Sequence, residues 1–536
     1  MKKLPPIPDF PEEEKTPVVQ LLFAFIEQQQ EVILQQQQEI DNLKSEVARL
    51  KKLPSKPNIK ASKLPKDDDN DNPTGHSGGG RPKGSPKKTR NKRKRTVHKT
   101  TVIEPEQISS GSRFLGYQDY FVQDLIIQPF NTRYRLARYQ TPDGNYCIGQ
   151  LPKSVKGKHF GDTLQSFIIY QYYHQRVTQQ LIKKQLTDWN IDISTGQIQN
   201  ILIHHKKAFH DEKDELLTAG IQNSTYIQVD DTGSRHQGRN GYCTHIGNET
   251  FAWFASTPTK SRINFLQLLQ GASSYYIINT DALKYMRQEK LPAQPLSLLK
   301  ICQQQRFHNI KDWLSFLAEQ KISNKRHIRI ATEGALVGAL IAQGFPPDLV
   351  IMSDDAGQFD VLLHTLCWIH TDRVFLRLTP LNKTHVKELE WVHTQIWDIF
   401  SDLKAYKLNP NQRLKVSIDA HFDELCQTKT SYQSLNLALK RLAKNKKELL
   451  LVLNRPDIPI HNNLSENDIR EYVIKRKISG TTRSEEGKLC RDTFLSFIKT
   501  CFKQGISFWD FIVDRLKNKN LVPYLPDLLA GKVCLL

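Results

Sequence analysis

Apolar residues return every seven positions near the start of the chain and then stop. With Ile26, Ile33, Ile40 and Val47 at one core position, Gln29, Gln36, Leu43 and Leu50 fall at the other. β-Branched residues at the first position and leucine at the second favour a parallel two-stranded coil. The two glutamines weaken its first half, so residues 18–52, after a tail of 1–17, predict a short zipper joining two copies. The plainer alternative is one amphipathic helix packed on its own domain. Residues 53–100 carry almost no large apolar side chain, cannot offset the entropy of ordering, and predict a disordered linker.

The pattern resumes as short strands and turns over 101–160, with a hairpin expected around Asp143-Gly144. Helical spacing governs 161–220. There TQQLIKKQLTDWN (178–190) and TGQIQNILIHHKKAF flank a short IDIS turn, and Ser194 with Gln197 forms a capping box. The pair reads as a helix-turn-helix or as an ordinary helical hairpin. Three strands follow, STYIQVDDTG (224–233), GYCTHIG (241–247) and ETFAWFAST (249–257), then the helix SRINFLQLLQG. An irregular, partly helical stretch is expected over 272–345, and DLVIMSDDAGQF (348–359) reads as a buried strand ending in acids. A Lys- and Leu-rich helical region runs to about 452, then a helix around Glu466, a final helical segment, and a tail at 516–536. Strands, helix, strand, helices is an α/β fold in α+β order.

Charge and cysteine usage narrow the function. The 536 residues hold 76 Lys+Arg against 56 Asp+Glu, a net charge of +20, which points to a polyanion partner, most simply nucleic acid. Ten of those bases lie between Arg81 and Lys99 and form a phosphate-contacting arm. Eight scattered cysteines with no CxxC pair argue against a disulfide framework and a zinc ribbon, and fit a reducing cytoplasm. No signal peptide or membrane span is expected, because the first residues lack an apolar h-region and no apolar run reaches about 18 residues.

Two strands end in paired carboxylates, Asp230-Asp231 and Asp354-Asp355. Either pair alone is an ordinary turn former. Together on adjacent strands they would repel, and a divalent cation with oxygen ligands would neutralise them. Alternation along a strand lets only one acid of each pair face a shared ion, the other capping the turn, and does not choose which. Glu466 could supply a third ligand from a helix, with Asn462 and Asn463 capping that helix or touching phosphate and Arg470 one turn on. It could equally be a first-turn acid favoured by the helix dipole. Cys367 and His370, spaced C-x-x-H with no second pair, read as structural.

Three segments together resemble the transposases of the insertion sequence 66 family. They are VDDT (229–232), SDDAGQFD with LCWIH (353–360 and 366–370), and HNNLSENDIREYVIKRKISGTTRSEEG (461–487); the trailing FIKTCFKQGISFWDFI (497–512) is similar to the family's terminal helices. The resemblance runs from about residue 160 to the end. It implies a DDE-type catalytic domain of ribonuclease-H-like fold over 221–515, with insertions at 272–345 and 380–452. It selects Asp230 over Asp231 and Asp354 over Asp355, giving Asp230, Asp354 and Glu466 as catalytic acids holding two Mg²⁺ or Mn²⁺ ions. It implies cleavage at 3′ ends and strand transfer, with Asn462, Asn463, Arg470, Arg476 and Lys477 on DNA. The implied partners are the element's terminal inverted repeats, target DNA, a second protomer and possible accessory proteins of the element. A catalytically inactive DNA-binding regulator and a nuclease of the same fold without strand transfer are the alternatives. Departures are a single cysteine, Cys147, where the family often has a zinc-binding segment, so no zinc is expected. Asp231 stands in place of Glu, His461 in place of an acid, and Asn467 in place of Arg.

Overall fold

The computed structural model describes residues 96–107, 112–152, 155–271 and 274–533. The expected coil at 18–52 and nearly all of the basic linker lie outside these residues. The described residues divide into 96–127, which carry no helix or strand, and a unit from 128 onward. That unit opens with the anticipated hairpin, β1 (Arg138–Gln140) paired antiparallel with β2 (Tyr146–Ile148). The strands expected elsewhere in 101–160 are not formed among its described residues.

A five-stranded sheet organises the rest. β3 (Tyr226–His236), β4 (Arg239–Gly247) and β5 (Ala252–Thr257) run antiparallel, while β8 (Val350–Ser353) and β9 (Leu363–Leu366) lie parallel to β3 on its other side. The spatial order is β5-β4-β3-β8-β9. β9 escaped the sequence pattern because LHTL is four residues long and half of it is polar. Period-two alternation splits the sheet's side chains between two cores. Ile227, Val229, Ile246 and Ile351 face one cluster, and Val350 with Leu366 faces another.

Most of the first cluster comes from 262–345, and the part expected to be irregular, 272–345, is far more helical than its sequence suggested. After α5 (Arg262–Gln270) and the short strand β6 (Tyr276–Ile277) come α6 (Thr280–Gln288) and α7 (Ala293–Ile301). A second short strand, β7 (Arg306–Phe307), pairs with β6 and leads to α8 (Ile310–Glu319) and α9 (Lys325–Ala342). From Ile330 to Leu340 every residue of α9 is buried, so the segment lacks the polar stripe that marks a surface helix. Gly338 sets its distance from α6: a Cβ there would fall 2.4 Å from Asn279 Oδ1. The second cluster comes from α10 (Trp368–Leu376), α11 (Lys383–Leu408), α12 (Gln412–Gln427) and α13 (Gln433–Lys444).

Upstream of the sheet lie α1 (Asp162–Ile169), α2 (Gln179–Asp188), α3 (Thr195–Ile203) and α4 (Lys207–Gln222). The capping box forms as expected, Ser194 Oγ accepting from Gln197 N at 3.2 Å and Gln197 Oε1 from Ser194 N at 2.8 Å. These helices share their core with the end of the chain: Ile182, Leu202 and Phe209 pack with Phe494, Phe497 and Phe511. Phe494 and Phe497 belong to a helix spanning Glu485–Lys503, and Phe511 to one spanning Phe508–Lys517. The stretch expected as a C-terminal tail adds a further helix, Leu525–Leu529, whose Leu525 is fully buried in the same cluster. Among the described residues no helix is long and apolar enough to cross a membrane.

Candidate active site

Strand register brings the two acid pairs level. In the parallel ladder Tyr226 pairs with Val350, Ile227 with Ile351 and Gln228 with Met352. The same offset continued two residues sets Asp230 beside Asp354, which lies just past the end of β8; β3 does not stop at its acids, as its sequence suggested, but runs on to His236. A crevice outside the carboxyl ends of strands, where the chain's direction of winding changes, is where open α/β sheets bind ligands.

Partners then separate the acids within each pair. Asp231 is neutralised by Lys260 Nζ at 2.9 Å and accepts from Gln358 Nε2 at 2.7 Å. Asp355 is tied to Arg441, whose Nε donates at 2.7 Å, and to Asn445. Among the described residues Asp230 has no cationic partner, and its Oδ1 accepts from the Asp231 amide. Burial, then the charges of Asp354, Asp231 and Glu466, push its carboxyl up to about 7. Burial also raises the Asp354 carboxyl, against the pull of His370 and Lys260. Asp354, not Asp355, also accepts from the turn amide of Ala356, so the expected division between an ion-facing acid and a turn-capping acid does not hold on this strand.

Glu466 enters on α14 (Asn463–Ser479), and a polar network fixes that helix across the sheet. Ser465 Oγ bonds His245 Nδ1 at 2.7 Å, and Asp468 meets His245 Nε2 at 3.2 Å, Lys499 at 3.2 Å and Lys503 at 2.9 Å. Although burial works the other way, these partners hold the Asp468 carboxyl well below the usual range. Ile469 and Tyr472 pack on Cys243 and Phe254 beneath. Asn462 needs correction. It was expected to cap the helix or touch DNA, yet it is fully buried, makes no side-chain cap, and donates from Nδ2 to Val229 O at 2.8 Å while its own amide donates to Cys367 Sγ. Asn462 is therefore a clamp between the Glu466 helix and the Asp230 strand. Asn463 is the first residue of the helix and half-buried.

Arg373 and His370, from α10, stand over the third acid and were missed as site residues. Arg373 donates to Glu466 Oε2 at 3.2 Å, while His370 Nε2 lies 3.5 Å from Oε1. An Arg and a His three apart on one helix face, in the LCWIHTDR run that follows the Asp354 turn, was the available signal. Cys367 is structural, as read: it starts α10, and burial pushes its thiol up to about 11. Of the expected DNA contacts, Arg470 and Lys477 are exposed and Arg476 half-buried, and none has an ion pair among the described residues. Arg476 and Lys477 line cavities beside the β3–β4 hairpin.

As the side chains stand, no three His, Cys, Asp or Glu groups among the described residues cluster tightly enough to hold a metal ion. Glu466 is turned to Arg373. Its Oε1 is nonetheless buried and accepts no hydrogen bond among the described residues, and Asp230 is a half-buried acid with no cation paired to it there. An orphaned carboxylate oxygen in an all-oxygen donor set fits a hard divalent cation such as Mg²⁺.

Asp230 gives a pH test. A carboxyl raised from 3.8 to about 7 contributes stability at low pH that is lost as pH rises through that value. Asp230→Asn is therefore expected to melt higher than wild type at about pH 8, an advantage that dwindles towards about pH 4. Melting curves across pH check this, and a pH-independent difference would remove Asp230 from the acid cluster.

Comparison with known proteins gives the family. Residues 339–489, which span the Asp354 turn, α10 and the Glu466 helix, match the family described as "Transposase IS66 family". Over 320 residues, 59% of this chain, the sequence is 39% identical to the whole of a Sinorhizobium fredii (strain NBRC 101917 / NGR234) protein named "Uncharacterized protein y4jO". A basic α/β chain with these matches is thus a protein of the transposase class. It belongs to the IS66 transposase family.

Proposed function

We propose that this protein cuts DNA at the 3′ ends of an insertion sequence and joins the freed ends to target DNA. The observation that carries the reading is the level placement of Asp230 and Asp354 on paired strands, with Glu466 brought to them by a helix clamped through Asn462. Three antiparallel strands followed by two parallel ones, with an acid midway along the first and another just past the fourth, suits a ribonuclease-H-like core. In this reading Asp230, Asp354 and Glu466 hold two Mg²⁺ or Mn²⁺ ions. Such ions, when bound, activate a water or hydroxyl and steady the leaving oxygen of an in-line displacement at phosphorus. Lys260 and Gln358 keep Asp231 out of the ligand set, so the crevice presents one acid from each strand. Arg470, Arg476 and Lys477 position the DNA by its phosphates, which carry affinity rather than sequence. Bringing two element ends together requires at least two protomers, the role proposed for the coil at 18–52.

One observation favours a second reading, a DNA-binding derivative without chemistry: Arg373 neutralises Glu466. Incubating the chain with a duplex carrying the element's terminal repeat, in Mg²⁺ and in EDTA, separates the two. Expected are Mg²⁺-dependent nicks ending in a 3′ hydroxyl, then joined products. Binding without nicks selects the derivative, and nicks without joining select a nuclease.

A further inference from the structure

The β3–β4 hairpin holds a second feature, away from the acids. Its strands run past the crevice to His236 and Arg239, and the tip is lashed to the turn after α14. Gln237 N donates to Thr482 O at 2.8 Å, Thr482 N donates to Arg235 O at 3.2 Å, and His236 Nδ1 meets Thr482 Oγ1 at 2.9 Å. Two adjoining cavities, of about 320 and 460 Å³, open between hairpin and helix. Arg235 and Arg476 line both, Lys477 lines the second, and Tyr242 the first. No acid lines either cavity, and among the described residues none pairs with these three cations. Two guanidiniums and an ammonium left together without a counter-charge repel one another until an anion arrives. Gly233 leaves room for that arrangement: a Cβ there would come 3.3 Å from an Arg476 Nη atom.

The volumes sit at the small end of ligand pockets, each room for about a nucleotide unit. Chemistry inside them matches a single strand, with cations for successive phosphates and a tyrosine face for a base. Two rulers place them relative to the acids. Five residues of β3 separate Arg235 from Asp230, about 17 Å at the usual strand rise. Ten residues of α14 separate Arg476 from Glu466, about 15 Å at the helical rise.

We propose that these paired cavities form a groove for a single DNA strand leaving the cut site, with Arg235 as a phosphate contact. The proposal rests on the DNA-processing reading and identifies which form of DNA this part of the site takes. Strand separation beside the acids is what such a groove would hold open.

The test uses the full chain in EDTA, so its result does not depend on cutting. Fluorescence anisotropy would follow binding to a blunt duplex and to the same duplex carrying a short single-stranded extension of either polarity. Arg235 is exposed and among the described residues contributes backbone bonds alone to the fold, so its substitution should leave folding intact. Arg235→Ala is expected to weaken binding of the extended duplex about tenfold and to lower its salt slope by about 0.7, leaving the blunt duplex unchanged. Arg235→Lys should keep most of the affinity. Equal losses on both DNAs would make the hairpin part of a duplex path and overturn the proposal; no loss on either would also overturn it. A chain that binds in this pattern yet never nicks DNA would leave the groove standing and remove the transposition reading alone.

Discussion

Glu466→Gln is expected to lose on the order of 10³-fold in Mg²⁺-dependent cleavage, because ion-derived stabilisation of the transition state is worth several kcal/mol and each 1.36 kcal/mol is a factor of ten. The amide keeps the size of the side chain and can still accept from Arg373, but it cannot complete a charged ligand set. Stability should hardly change, since the pair is made with an arginine whose side chain is 42% exposed and such pairs contribute little. DNA affinity in EDTA should stay near wild type. Single-turnover cleavage beside a melting curve checks all three, and wild-type cutting by the variant would end the role given to Glu466.

Asp468→Ala is expected to be the most damaging single change to stability in the region, about 3–5 kcal/mol. Asp468 is the shared counter-charge of Lys499 and Lys503 and the partner of His245, all at 3.2 Å or closer. Removing it strands two lysines in a buried site. Because its folded carboxyl lies below the ordinary value, its contribution is present above the unfolded value and is lost as pH falls through the folded one. Wild-type stability should therefore fall in acid more steeply than that of the variant. Urea unfolding at neutral and acid pH measures both effects. A loss of less than about 1 kcal/mol at neutral pH would mean that the network does not fix α14. Asp468→Asn, which keeps a hydrogen-bond acceptor, should fall between.

Much of the sheet could be read from the chain, since β3, β4, β5 and β8 are short apolar runs broken by turn residues. Their register could not. That Asp230 lies beside Asp354 depends on a parallel pairing across more than a hundred residues, and alternation is blind to it. The choice within each acid pair rests on family resemblance alone, and no local pattern could show the long-range partners that engage the other two acids, Lys260 and Gln358 for Asp231 and Arg441 for Asp355. Asn462 shows the opposite failure. An asparagine before a helix is an ordinary cap by local rules, and only the fold reveals that its amide reaches Val229 instead. The 272–345 helices were underread because burial on every side erases the polar stripe from which helices are recognised.

The shared core of α1–α4 and the final helices has a consequence for inheritance. Ile182, Leu202 and Phe209 find their packing partners in Phe494, Phe497 and Phe511, nearly three hundred residues later. A gene copy interrupted anywhere before that point would encode upstream helices with no core to close on. Damaged copies of such an element would thus leave upstream helices that cannot close their core and lie open to proteolysis.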